Sequence, residues 1–333
     1  GQRWGPGQPS RHPTGGADPD YRGAVRTIDW VDGAVQIIDQ TTLPAKLVTR
    51  RLATADALVA AIQSLAVRGA PALGVAGALG VALAAREYAD PAEREQAVRR
   101  LAAARPTAVN LAAGVRRAAH RLPEGPEAVL AEALRLRDEE IAASAEMARL
   151  GADLISSLCG ASPRLLTHCN TGGLASVTGG TALAVVTELH RRGQLAGVIA
   201  SETRPLLQGA RLTAWELGQA GVAYRIAVDA AGPFLIARGE VDAVVVGADR
   251  ICANGDVVNK IGTYAHALGA ARAGIPFVVV APESTLDHDT PTGADVPIED
   301  RAAAEVTSLA GVPTAPPGAP AVNPAFDVTP HDL

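Results

Sequence analysis

From about residue 163 onward the chain repeats one alternation that few architectures can satisfy. Short apolar runs, "RLLTH", "GVIAS", "AYRIAV", "DAVVVGA" and "PFVVVA", are separated by longer stretches with helical spacing, Ala175 to Arg192, Leu206 to Ala220 and Asn259 to Ala273. A strand covered on both faces reads as a continuous apolar run, and parallel neighbours need a crossover, usually a helix. The expected fold class is therefore α/β, with a C-terminal doubly wound, Rossmann-like parallel sheet. In such sheets ligands bind beyond the carboxyl ends of the strands, where the strand order reverses. That is where chemistry should be sought.

Upstream the pattern differs. "VRTIDW" and "AVQIID" alternate around Asp32-Gly33, a strong turn dipeptide, and predict a short hairpin. Thr54 can cap a helix whose apolar positions Ala57, Leu58, Ala61, Ile62 and Leu65 share a face, and Pro126 opens a long helical pattern reaching Leu158. The expected organisation is a smaller, mostly helical domain with a short N-terminal β-sheet over residues 24–145, then the Rossmann-like domain over 146–333. The first 23 residues are rich in Gly, Pro and polar groups and are expected to be a flexible extension.

Composition narrows the partners. A net charge of -5 and a pI near 5.8 supply no basic field for nucleic acid or an anionic membrane, so small metabolites or protein partners are expected. The apolar run Ala70 to Ala85 is short for a bilayer and built of small residues, which predicts a packed core helix. With no signal-peptide pattern, a cytoplasmic location is expected. Cys159, Cys169 and Cys252 form no CxxC pair and read as reduced thiols without a disulfide framework or metal cluster. There is no GxGxxG and no Walker motif.

At the predicted strand ends several polar groups stand out. Cys169 follows "RLLTH" directly and precedes two glycines that permit a close turn into a helix. Taken alone it is as readily a buried packing cysteine as a reactive one. Asp249 ends "VDAVVVGAD", and a carboxylate placed after an apolar run is desolvated and suited to general acid or base work. A helix cap or a pair with Arg250 is the alternative. Arg68-Gly69-Ala70-Pro71 combines a guanidinium with a helix start, a ready phosphate site, and Arg105-Pro106-Thr107 resembles it. Glu202, Thr203, Arg204, Gln208 and Arg211 cluster after "GVIAS", where Glu202 and Arg204 could instead simply pair. Asn259-Lys260 is read as the start of a helix, where an ammonium group is unfavourable unless it meets an anion. Lys260 is one of only two lysines beside 28 arginines. His168 reads as a strand-end support.

Together and in this order, "RGAPALG", "RPTAVNL", "THCNTGGLA", "ETRPLLQGARLTAWEL", "GADRICANGDVVNKIGTY" and "VNPAFDVTP" resemble the methylthioribose-1-phosphate isomerase family, a branch of the superfamily that holds the regulatory subunits of eukaryotic initiation factor 2B. The resemblance runs from about residue 24 to the end. It implies that Cys169 and Asp249 are catalytic and that Arg68, Gly69, Ala70, Arg105, Gln208, Asn259 and Lys260 bind substrate. It implies a sugar 1-phosphate substrate, conversion of an aldose to a ketose in methionine salvage, no metal or redox cofactor, and a homodimer. One segment departs from the pattern: "GGLASVTGGTAL" stands where "GALATAGYGTAL" is expected, so an aromatic is missing from the pocket wall. Isomerisation of 5-deoxyribose 1-phosphate or ribose 1,5-bisphosphate, and a non-catalytic subunit resembling the initiation factor, are the alternatives.

Overall fold

The computed structural model describes residues 26–106 and 108–333, so the extension expected over residues 1–23 lies outside the described residues. The predicted hairpin is present as antiparallel β1 (Ile28–Val31) and β2 (Ala34–Ile38), joined through Asp32 and Gly33, both at positive φ. β3 (Thr49–Leu52) completes this small sheet on the other side of β2. Then come α1 (Ala55–Gln63), α2 (Ala70–Glu87), α3 (Pro91–Ala102), α4 (Val109–Ala119) and α5 (Pro126–Cys159). Thr54 Oγ1 accepts from the Ala57 amide at 3.1 Å, the cap its position predicts.

α2 is the spine of this helical region. Its alanines, glycines, leucines and valines are buried almost all round. By length and composition it is long and apolar enough to cross a membrane, and it is largely buried. Its contact with α4 is made by missing side chains: a Cβ on Gly114 would lie 1.9 Å from the Gly74 carbonyl oxygen, and one on Gly77 would lie 2.6 Å from that of Leu111. Helix α5 runs through residue 145. Val129 and Ala133 in its first half join the helical core, whereas Ala152 and Ile155 in its second half pack with Leu165 and Val185 against the parallel sheet.

The second half of the chain builds that sheet. β4 (Arg164–Thr167), α6 (Ala182–Arg191), β5 (Gly197–Ser201), α7 (Ala214–Gln219), β6 (Tyr224–Ala227), α8 (Ala231–Ala237) and β7 (Ala243–Val246) follow in order. After them come β8 (Arg250–Cys252), β9 (Val257–Lys260), α9 (Thr263–Ala273) and β10 (Phe277–Val279). The five-stranded sheet has the order β10-β7-β4-β5-β6 and is parallel throughout. The chain winds outward from β4 to β6 and then returns to the other side of β4. The reversal therefore falls between β4 and β7, the strands that precede Cys169 and Asp249.

The final stretch adds β11 (Leu286–Asp287), α10 (Ala304–Thr307), the two-residue strands β12 (Ser308–Leu309) and β13 (Val312–Pro313), and β14 (Phe326–Thr329). β8, β9, β11 and β14 form a third sheet in the order β11-β8-β9-β14.

Four element boundaries differ from expectation. α1 ends at Gln63, so Leu65, read as part of its apolar face, lies beyond the helix at φ 63°. α6 begins at Ala182 rather than Ala175, because Gly179 and Gly180 take positive φ and Gly180 bridges back to Gly172. Cys169 is therefore followed by a folded loop with one short turn at Gly173–Ala175, and the helix start that could have favoured a thiolate lies further on. A wide π-turn over Gly209–Thr213 precedes the short α7. Asn259 and Lys260 lie in β9, since β8 and β14 supply ladder partners on both sides, and Gly262 at φ 105° separates that strand from α9.

Candidate active site

A cavity of about 430 Å³ opens at the switch point between β4 and β7. Its wall contains all nine residues singled out from sequence: Arg68, Gly69, Ala70, Arg105, Cys169, Gln208, Asp249, Asn259 and Lys260. They come from the start of α2, the segments after α3, β4, β5 and β7, and the end of β9.

Cys169 is buried and takes a left-handed backbone conformation, φ 60°, which is unfavourable for a residue with a side chain. Two threonines hold it there. Thr203 Oγ1 accepts from the Cys169 amide at 2.9 Å, and Thr213 Oγ1 donates to the Cys169 carbonyl at 2.6 Å. Behind the turn, His168 Nε2 bonds the Ile261 carbonyl at 2.7 Å, so it carries the proton, while Nδ1 faces His266 Nε2 at 3.3 Å. Burial holds both imidazoles below the usual histidine range, His266 at about 3. They brace the strand end as neutral rings, in keeping with the support role read for His168.

Asp249 borders the cavity, yet protein surrounds most of its carboxyl. Desolvation raises its pKa, opposed by the charges of Lys260, Arg68 and Arg105. The structure separates it from Arg250, whose guanidinium pairs with Asp287 at 2.8 Å. Lys260 responds in the opposite sense. Burial lowers its pKa, with Cys169 and Asp249 pulling it up and Arg68 and Arg105 pushing it down. Its Nζ donates to the Ala325 carbonyl at 2.8 Å and lies 4.5 Å from the Phe326 ring centroid. Burial also lowers the Arg105 pKa, against the neighbouring charge of Asp249.

The side of the cavity suited to an anion is built on α2. Gly69, at φ 95°, precedes the helix, no side chain caps it, and Pro71 occupies its first turn. A Cβ on Gly69 would lie 2.3 Å from the Ala175 carbonyl oxygen, so only glycine brings this helix end against the cysteine loop. Amides at such an end, with Arg68 beside them, favour a phosphate. Gln208 Oε1 is buried without a hydrogen-bond partner, an acceptor suited to a sugar hydroxyl.

Other features were less legible. Glu202 and Arg204 are not seen paired: Arg204 donates to the carbonyls of Pro205 and Val306. Arg211 reaches the carbonyls of Leu206, Gln40 and Leu43, and so ties the two halves of the chain together. Glu299 and Arg301 line the cavity from the irregular C-terminal stretch, where no local pattern marked them. Asn170 and Glu216 were also missed. Glu216 is the one ionisable residue in "LTAWELG", where a lone glutamate at helical spacing reads as solvated, yet it is buried.

Comparison with known proteins agrees with this geometry. The sequence pattern of the initiation factor 2 subunit family matches residues 66–333. A protein of Nocardia farcinica named probable bifunctional methylthioribose-1-phosphate isomerase/methylthioribulose-1-phosphate dehydratase is 53% identical over 92% of this chain, which spans 57% of that relative's length. A methylthioribose-1-phosphate isomerase of Anaeromyxobacter sp. (strain K) is 54% identical over 90% of this chain and 87% of its own. Among solved structures, the 5-methylthioribose 1-phosphate isomerase of Pyrococcus horikoshii superposes with a TM-score of 0.85 at 39% identity, covering 92% of this chain and 89% of that one. A protein of A. fulgidus, titled translation initiation factor eIF-2B subunit delta, gives 0.81 at 43% identity, with 92% of each chain covered. By sequence pattern and by fold, the chain belongs to the initiation factor 2 subunit family.

Proposed function

We propose that the chain converts S-methyl-5-thio-α-D-ribose 1-phosphate into S-methyl-5-thio-D-ribulose 1-phosphate in methionine salvage. The observation that carries this reading is the convergence of Cys169 and Asp249, from the two central strand ends, on one cavity with Arg68, Arg105 and Lys260. The isomerase names borne by relatives of about half identity, and by a solved structure of the same fold, support it.

The chemistry follows from the substrate. The phosphate blocks the anomeric oxygen, so the ring cannot open as a free hemiacetal and needs a proton delivered to the ring oxygen. Asp249, kept protonated to higher pH by burial, supplies that proton. The 2-hydroxyl then gives its proton to the Asp249 carboxylate, the C2–H bond breaks and a C1–H bond forms, which leaves a carbonyl at C2, restores the acid and balances the isomerisation. Cys169 stands by the reacting carbons, either as carrier of the C2 proton or as a neighbour that stabilises a direct hydride shift. Arg68, Arg105, Lys260 and the start of α2 hold the phosphate, while Gln208 and Asn259 bond sugar hydroxyls.

The reading includes a cytoplasmic homodimer and the division of the chain at residue 145. Exposed apolar side chains on neighbouring α8 and α9, Phe234, Tyr264 and Leu268, support self-association. Sedimentation as a single 33.9 kDa species would remove that part. The activity is tested by phosphorus and proton NMR of the purified protein with methylthioribose 1-phosphate, 5-deoxyribose 1-phosphate and ribose 1,5-bisphosphate side by side. Preferred turnover of the first is expected. Faster turnover of either other sugar would change the substrate, and inactivity on all three would sink the reading.

A further inference from the structure

We infer that Glu216 is a positioning residue that fixes the amide orientation of Asn170 and, through it, aims the Arg68 guanidinium at the phosphate. This inference rests on the proposed use of the cavity. Glu216 is buried in α7, behind the cavity wall. Its Oε2 accepts from Asn170 Nδ2 at 2.6 Å, and its Oε1 accepts from the Leu174 amide at 3.1 Å. Asn170 turns its other edge outward. Oδ1 accepts from Arg68 Nη1 and the backbone carbonyl from Arg68 Nη2, both at 3.0 Å, a two-point clasp.

The amide of Asn170 has one donating and one accepting end, and the two neighbours demand opposite ends. Flipped, it would set its NH₂ against a guanidinium that cannot accept, and its oxygen against a carboxylate. Glu216 thus decides which way Asn170 points, and Asn170 decides where Arg68 is held. The sequence makes room for this: a Cβ on Gly172 would lie 2.2 Å from Glu216 Oε2, so the glycine lets the carboxylate lie against the cysteine loop. Asn170 Nδ2 also reaches Thr213 Oγ1 at 3.2 Å, the hydroxyl that holds the Cys169 carbonyl, so the same lock spans the anion side and the cysteine.

The isosteric variant Glu216→Gln breaks the pattern without changing its volume. Gln must present a donor either to Asn170 Nδ2 or to the Leu174 amide, so one hydrogen bond is lost, and the escape for Asn170 is to flip away from Arg68. The reciprocal swap, Glu216→Gln with Asn170→Asp, restores the donor-acceptor match with Arg68, between the two side chains and at the Leu174 amide, and leaves the 3.2 Å contact to Thr213 Oγ1 without a donor. We would measure binding of inorganic phosphate by calorimetry, and KM and kcat with methylthioribose 1-phosphate, in wild type, Glu216→Gln and the swap variant. Glu216→Gln is expected to weaken phosphate binding about tenfold and to raise KM more than it lowers kcat. The swap variant should return to within about threefold of wild type, as coupled neighbours do. Unchanged phosphate affinity in Glu216→Gln, a loss confined to melting temperature, or a swap variant that is unfolded or binds no better overturns the inference. If Glu216→Gln alone is unfolded, the swap variant still decides by the same criterion. A wild-type chain that binds no phosphate would overturn the proposed function and this inference together, whereas a binding wild type with an indifferent Glu216→Gln overturns the inference alone.

Discussion

The seam between α2 and α4 and the cavity at the ends of β4 and β7 are both lined by glycines, for opposite reasons. At the seam Gly77 and Gly114 let two apolar helices approach until backbone touches backbone, and the gain is contact. Around the cavity Gly69 and Gly172 let backbone come against a carbonyl and a carboxylate, and the gain is placement of charge. The first region is a packing solution with little ionisable content. The second buries Asp249, Glu216 and Lys260 at a cost to stability that packing elsewhere must offset. Changes at the seam should therefore harm folding and spare chemistry, and changes at the cavity should do the reverse.

The largest effect should come from the two residues proposed to react. Cys169→Ser and Asp249→Asn are each expected to lower kcat about 10³-fold with melting temperatures close to wild type; near-wild-type turnover in both, in a coupled NMR assay, would remove them from the mechanism. Asp249 also sets a pH dependence. Burial raises its folded pKa, so its acid form, and with it kcat, should be lost as pH rises through that value, a limb that Asp249→Asn lacks. The same shift has a folding consequence. The folded chain holds this proton where the unfolded chain releases it, so the stability contributed is complete in acid and lost as pH rises through the folded pKa. Denaturant unfolding across a pH series should show a steeper fall with rising pH in wild type than in Asp249→Asn, whose remaining slope comes from other buried carboxyls such as Asp327, raised to about 6.

Next in size is Arg68→Gln, expected to raise KM and the dissociation constant for phosphate about 50-fold while leaving most of kcat, because a charge-assisted contact to the anion is made in ground and transition states alike. A kcat loss larger than the KM rise would instead place Arg68 in the chemical step. At the seam, Gly114→Ala should lower unfolding free energy by about 2 kcal/mol or more through overpacking, with kcat per folded molecule unchanged. An unperturbed denaturation midpoint would show that the helices have slack. The smallest effect, about 1 kcal/mol, is expected for Thr54→Ala at the α1 cap, read by the same unfolding curves.

Much of this was legible in the chain. The runs "RLLTH", "GVIAS" and "DAVVVGA" announced a parallel sheet, because a doubly covered strand has no polar face to interrupt it. Asp249 was visible as a carboxylate that such a run delivers to a strand end. The misplaced boundaries share one cause. "NKIGTY" and "GGLASVTGGTAL" suit helix or loop locally, and their state was decided by distant partners: β14 pairing with β9, and Gly180 bridging to Gly172. Glu216 was hidden because a lone glutamate in a helical pattern looks solvated, and its burial depends on Asn170 and Leu174, more than forty residues earlier in the chain.

What the sequence determined by itself, then, was the alternation of elements, the identity of the residues at the strand ends and the order of motifs, all of which follow from patterns spanning a few residues. Tertiary structure alone decided that β7 returns beside β4, so that Cys169 and Asp249 share one crevice, and that Glu216 faces Asn170. The physical reason is range. Hydrophobic periodicity and turn chemistry act between near neighbours along the chain, whereas desolvation and hydrogen-bond matching depend on which segments folding brings within a few ångströms.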